Sequence, residues 1–184
     1  MISRMNYRLV PYALKLPELR ALVGCQQETL PIQICQSFLL AEHSKHPIGV
    51  DAHSDLFDAL DDLIGGANLD PERGCHYGYA LQAMCQHIGL RLDSNQWNQV
   101  KWAVLEDTGL NAVMGNGSPI DLPMIPDFPT IGHLPNRKIR KRIEEPKGNS
   151  LKIESETVQG LLRDFDSWVD QAYQARQDLV FFYY

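Results

Sequence analysis

No stretch of this 184-residue chain approaches the roughly 20 apolar residues that span a bilayer, so the sequence offers no candidate membrane-spanning helix. Met1 to Tyr7 lacks the apolar core of a secretory signal, so the expectation is a cytoplasmic protein with no membrane partner. Cysteine is scarce. Cys25, Cys35, Cys75 and Cys85 form no CxxC pair, which excludes zinc-ribbon and thioredoxin spacings and leaves buried free thiols as the expectation. There is no GxGxxG after a strand, no GxxxxGK[ST] and no GxSxG, so neither phosphate-cradling glycine loop nor a nucleophile elbow is present. Cationic excess is missing too. The net charge of −6 disfavours a nucleic-acid partner, whose phosphates would need neutralising, and suits a basic protein partner.

What is present is an ordinary core inventory, 44% hydrophobic and 22% charged, enough for one domain without covalent staples. The run Gln177 to Tyr184 is β-branched and aromatic and carries no charge after Asp178. It reads as a strand buried on at least one face. Asn6 to Leu14 reads as a second strand, with Pro11 placing it at an edge or on a bulge because proline cannot donate to a ladder. These two strands are each other's obvious partners.

Helical periodicity fills most of the interval. Pro17 to Gly24 is a short helix. Thr29 caps a second, and Ser54 caps a third whose buried stripe is Leu56, Phe57, Leu60, Leu63 and Ile64. A fourth carries Tyr77, Leu81, Met84 and Ile88, and Ser94 opens a fifth through Trp97, Val100 and Val104 to Gly109. Five prolines between Gly115 and Pro135 exclude helix there, so an extended, ordered loop is expected. Asn136 to Glu145 reads as a basic helix, and Ser155 to Arg176 as the last helix. The predicted fold is therefore a single α+β domain over 1–184, mostly helical, with its N- and C-terminal strands paired in a small sheet.

Chemistry-bearing residues are scattered. His43, His46 and His53 with Asp51 and Asp55 are metal-ligating types, but a Pro47-Ile48-Gly49 break separates them. Cys75, His76, Cys85 and His87 share one helix without facing each other as nucleophile and base must. An enzyme or metal-binding protein would need such a His/Cys/Asp site to assemble in three dimensions. Arg137 to Arg142 lacks the aromatic residues that stack bases. Neither a catalytic group nor a cofactor is assigned. The expectation is a non-catalytic protein-binding domain, of the bacterial immunity or antitoxin-like inhibitor kind, docking a basic partner such as a toxin. Asp55, Asp58, Asp61 and Asp62 would steer that partner, and apolar residues of the proline-rich loop, Phe128 among them, would anchor it.

Four segments resemble an uncharacterised bacterial domain family in one order along the chain. They are Tyr7-x-Leu9-x-x-Tyr12-Ala13-x-x-Leu16-x-x-Leu19-Arg20-Ala21-Leu22-x-Gly24, Tyr77-Gly78-Tyr79-Ala80-Leu81-x-x-Met84-Cys85-x-His87-Ile88-Gly89, Asp127-Phe128-Pro129-x-Ile131-Gly132, and Asp178-Leu179-Val180-x-Phe182-Tyr183. The resemblance implies a bacterial cytoplasmic domain and supplies no catalytic residues.

Overall fold

The computed structural model describes residues 7–43, 50–98, 100–107, 110–125, 129–139 and 156–184. Its centre is a four-stranded antiparallel sheet in the order β2-β1-β4-β3. The strands are β1 (Leu9–Leu14), β2 (Leu90–Arg91), β3 (Thr130–Leu134) and β4 (Asp178–Tyr183). As expected, the two terminal strands pair, in a six-residue register from Leu9↔Tyr183 to Leu14↔Asp178.

The strand period of two divides the sheet's side chains between separate cores. Val10, Tyr12, Leu14, Ile131, Val180 and Phe182 meet α1 (Leu16–Leu22), α2 (Leu30–His43), α3 (Val50–Gly65) and α4 (Gly74–Ile88). Leu9, Ala13, Leu134, Leu179, Phe181 and Tyr183 meet α5 (Trp102–Asp107), α6 (Asn111–Met114) and α7 (Glu156–Gln174). All apolar positions of β4 are thus buried, which explains a charge-free terminal run.

Several local expectations need correction. β1 is not an edge strand, since it lies between β2 and β4. Arg8 and Tyr184 exchange both backbone hydrogen bonds, so even-numbered residues of β1 turn their polar groups to β4 and Pro11 turns away. On that other side its carbonyl accepts from Leu92 N–H at 3.0 Å, and no donor is required of it. A third convincing strand does exist inside the proline-rich segment: β3 pairs with β4 from Thr130↔Tyr183 to Leu134↔Leu179.

The third helix starts at Val50, so Ser54 lies within it and is no cap. Phe57, expected in its stripe, is exposed. The fifth helix is broken. Ser94 makes no cap bond, a 3-10 turn covers Asn95–Trp97, and Asn98 is extended where it bridges Arg8. Bridging to the sheet outcompetes helical continuation there, and α5 begins only at Trp102.

Two glycines of α4 position the proline-rich loop. A Cβ on Gly74 would sit 2.5 Å from the Met124 carbonyl oxygen, and one on Gly78 would sit 3.0 Å from the Pro129 ring. The loop therefore lies directly against the helix backbone, with Ile120, Leu122 and Ile125 turned onto the core. The start of β4 is fastened separately. The Asp178 carboxylate accepts from Leu16 N–H at 2.8 Å and from Asn136 N–H at 2.7 Å. One side chain thereby joins β4 to the first turn of α1 and to a helical turn over 136–139.

Candidate functional site

The acidic helix α3 owes its form to a clean division of residues. Leu56, Ala59, Leu60, Leu63 and Ile64 are buried against α2 and α4. At about 100° per residue, the remainder order themselves as Phe57, Asp61, Ser54, Asp58, Asp62 and Asp55 around roughly 160° of surface.

The two margins of this arc differ. Next to α4, Asp62 Oδ2 accepts from Arg73 Nη1 at 2.9 Å and from the Tyr77 hydroxyl at 2.9 Å. Tyr77 O–H in turn accepts from Asp70 N–H at 3.1 Å, and its phenol is pushed above its ordinary pKa chiefly by burial. Asp55 lies 3.7 Å from His76 Nε2. At the open margin, Asp58 and Asp61 are exposed and make no ion pair among the described residues, and Phe57 stands beside them at 37% exposure. Of the four aspartates, Asp62 therefore works within the fold, joining α3 to α4, while Asp58 and Asp61 face solvent.

The other predicted candidates disperse. Phe128 and His46 lie outside the described residues, as do the side chains of His43, Asp51 and His53. In the loop Met124 stands out at 84% exposure, whereas the neighbouring aliphatic residues face inward. All four cysteines are free thiols. Cys35 and Cys85 are buried, and burial pushes both above the ordinary thiol range. Cys25 and Cys75 are half-buried. His76 is engaged with Asp55, and His87 is exposed on the last turn of α4. Among the described residues, no three His, Cys, Asp or Glu side chains converge as metal ligands do, and no helix is long and apolar enough to cross a membrane.

One polar assembly escapes a reading of the chain. Gln82, only 1% exposed, donates to the Tyr12 hydroxyl at 3.2 Å and accepts from the Tyr184 hydroxyl. Tyr12 donates onward to Gln86 Oε1 at 3.3 Å. Tyr79 stacks on Tyr184, and the Arg8 guanidinium sits 4.8 Å from that ring's centre. This seam satisfies the polar groups that α4 and the sheet bury between them. Its one sequence signal is a glutamine inside the otherwise small or apolar run Ala80–Cys85.

These features define an α+β protein with an antiparallel sheet clad in helices on both faces and an acidic ridge at its surface. The chain belongs to the family described as Domain of unknown function (DUF7691), whose model matches residues 5–184. It is also similar to a curated protein, the HMP-PP phosphatase of Cronobacter sakazakii (strain ATCC BAA-894), at 34% identity over 109 residues. That stretch is 56% of this chain and spans about a third (34%) of the relative's length. No solved structure matches the chain.

Proposed function

We propose that this chain is a non-catalytic protein-binding domain that docks a basic partner protein through the open margin of α3, in the manner of an immunity or antitoxin-type inhibitor. The observation that carries the reading is the placement of Asp58, Asp61 and exposed Phe57 on one arc, with Asp55 completing it. An aromatic residue with like charges along one side has the composition of an anchor with a steering field. Apolar contact supplies affinity, and complementary charge raises the encounter rate and selects the partner. Asp62 contributes by holding α3 against Arg73 and Tyr77, so that the arc is presented on a fixed helix. The loop adds Met124 as a further exposed apolar contact.

The test is affinity capture from the native host with the wild-type chain and with a D55N/D58N/D61N variant, followed by binding measurements on the purified partner. The expected partner is basic, binds stoichiometrically, and loses roughly tenfold or more in association rate in the variant or at high salt. Capture of the same partner by both chains with equal rates contradicts the reading, as does a stoichiometric partner that is acidic.

A further inference from the structure

The described surface also carries a cationic cleft of about 360 Å³, despite the net negative charge of the chain. It opens along β1 beyond the point where the two-residue β2 ends. Leu9 and Val10 line it, together with Arg8, Arg91, Ser94, Asn95 and Asn98.

The topology explains why these residues meet. β1 pairs with β2 at Tyr12↔Arg91 and Ala13↔Leu90 alone, after which the chain runs back beside β1 as far as the Arg8–Asn98 bridge. Arg91 is directly opposite Tyr12, and Arg8 is two pleats along the same strand. Both arginines therefore leave the sheet on one face. Between them the 3-10 turn brings Ser94, Asn95 and Asn98 to the rim. The turn is held in shape. Asp93 Oδ1 accepts from Asn95 N–H at 3.1 Å, and Asn98 Nδ2 donates to the Asn95 carbonyl at 3.1 Å. The Trp168 indole N–H donates to the Asp93 carbonyl at 2.8 Å, which ties the rim to the core.

From this geometry we infer that the cleft is a binding site for a small phosphate ester, its phosphate group taken between Arg8 and Arg91. Guanidinium groups offer several donors each in a planar fork, so each can serve an intramolecular partner and a ligand together. A hydroxyl and two carboxamides around them match a group with several acceptor oxygens. The cleft's volume falls in the range of metabolite sites and exceeds what a bare anion fills, leaving room beside the β1 backbone for the organic part. Asp93, at the start of the turn, carries an opposing charge, and its bond to Asn95 N–H keeps one oxygen occupied. The inference is independent of the acidic ridge and its partner.

The experiment is an NMR titration of the full chain with ribose 5-phosphate, inorganic phosphate, succinate and ribose, repeated on R91Q, R91K and R8Q. Expected are saturable shifts at Asn95 and Asn98 with ribose 5-phosphate, weaker ones with inorganic phosphate, and none with ribose. R91Q and R8Q should weaken binding roughly tenfold each, and R91K should recover part of the loss. The spectrum of each free variant reports whether it is folded. S94A, at the rim, should weaken binding by a smaller factor and serves where an arginine variant is unfolded. No saturable shift with either phosphate probe overturns the proposal. Shifts that survive unchanged in the arginine variants and in S94A overturn it as well, and preference for succinate overturns the phosphate assignment.

Discussion

The two faces of the sheet are covered by different kinds of element. One is covered by four consecutive helices, and its core is chiefly aliphatic, from Leu19 and Ile34 to Leu60, Leu63 and Leu81. The other is covered by one long helix, α7, and several short pieces, and among its aliphatic residues Trp97, Phe165, Trp168 and Phe181 form a cluster of touching rings. Trp97 lies 5.3 Å from Trp168, Phe165 lies 6.0 Å from Phe181, and Trp102 meets Tyr183 edge-on at 5.4 Å. Regular helices bury their area through repeated stripes, so many residues share the work. Short segments have few positions each, and large aromatic side chains concentrate the burial. β4, like β1, serves both faces at once, so the two cores depend on it together.

The largest expected effects break this arrangement at β4. Phe181→Ala and Phe182→Ala open cavities on opposite faces and should each cost about 3–5 kcal/mol. Both should lower the same single unfolding transition in denaturant. A separate, lower transition in either variant would show that the two faces fold independently. Asp178→Ala should follow at about 1–3 kcal/mol, because two part-buried backbone N–H groups lose their acceptor. Asp178→Asn keeps one acceptor oxygen and should recover part of that loss in the same measurement.

Gly78→Ala sharpens the helical side of the comparison. Its added methyl meets Pro129 at 3.0 Å and Ile125 at 3.1 Å, and overpacking of about 1 kcal/mol is expected. Faster amide exchange over 121–125, with α4 itself unchanged, would show the loop lifting from the helix. Uniform exchange across both would contradict that docking.

On the aromatic side, burial pushes the Tyr183 phenol up to about 12, with Tyr7 adding a smaller push. Its hydroxyl donates to the Val100 carbonyl at 3.0 Å. The unfolded chain releases this proton near pH 10, the folded protein only near pH 12. Stability from this group is thus complete below about pH 10 and declines as pH rises from there toward 12. Y183F should flatten the loss of melting temperature between pH 9 and 11, by roughly a few degrees. The smallest effect belongs to D55N/D58N/D61N, expected within about 0.5 kcal/mol of wild type, since exposed charges contribute little to folding.

The same contrast governs what could be read from the chain. The helices on the aliphatic face announce themselves, because Leu56, Leu60, Leu63 and Ile64 repeat at helical spacing and Gly24 and Gly66 take the positive φ that ends a helix. The terminal strands were equally plain from their β-branched and aromatic content. The aromatic face was obscured, since β3 hides among prolines and Trp97 to Val104 carries a helical period that the Arg8–Asn98 bridge overrides. The acidic arc was legible as a solvated helix face, yet the engagement of Asp62 by Arg73 and Tyr77 depends on how α3 and α4 cross. The Arg8–Arg91 cleft could not be read at all. Those residues stand 83 positions apart, and only strand pairing brings them to one face.

The most direct measurement of the docking proposal is site-specific photo-crosslinking in the native host, with the photoreactive residue placed either at Asp58 on α3 or at Gln171 on the exposed side of α7. The acidic-arc account predicts a discrete crosslinked partner of basic composition from position 58 and none from position 171. Equal crosslinking at both positions, or a discrete product from position 171 alone, would contradict it.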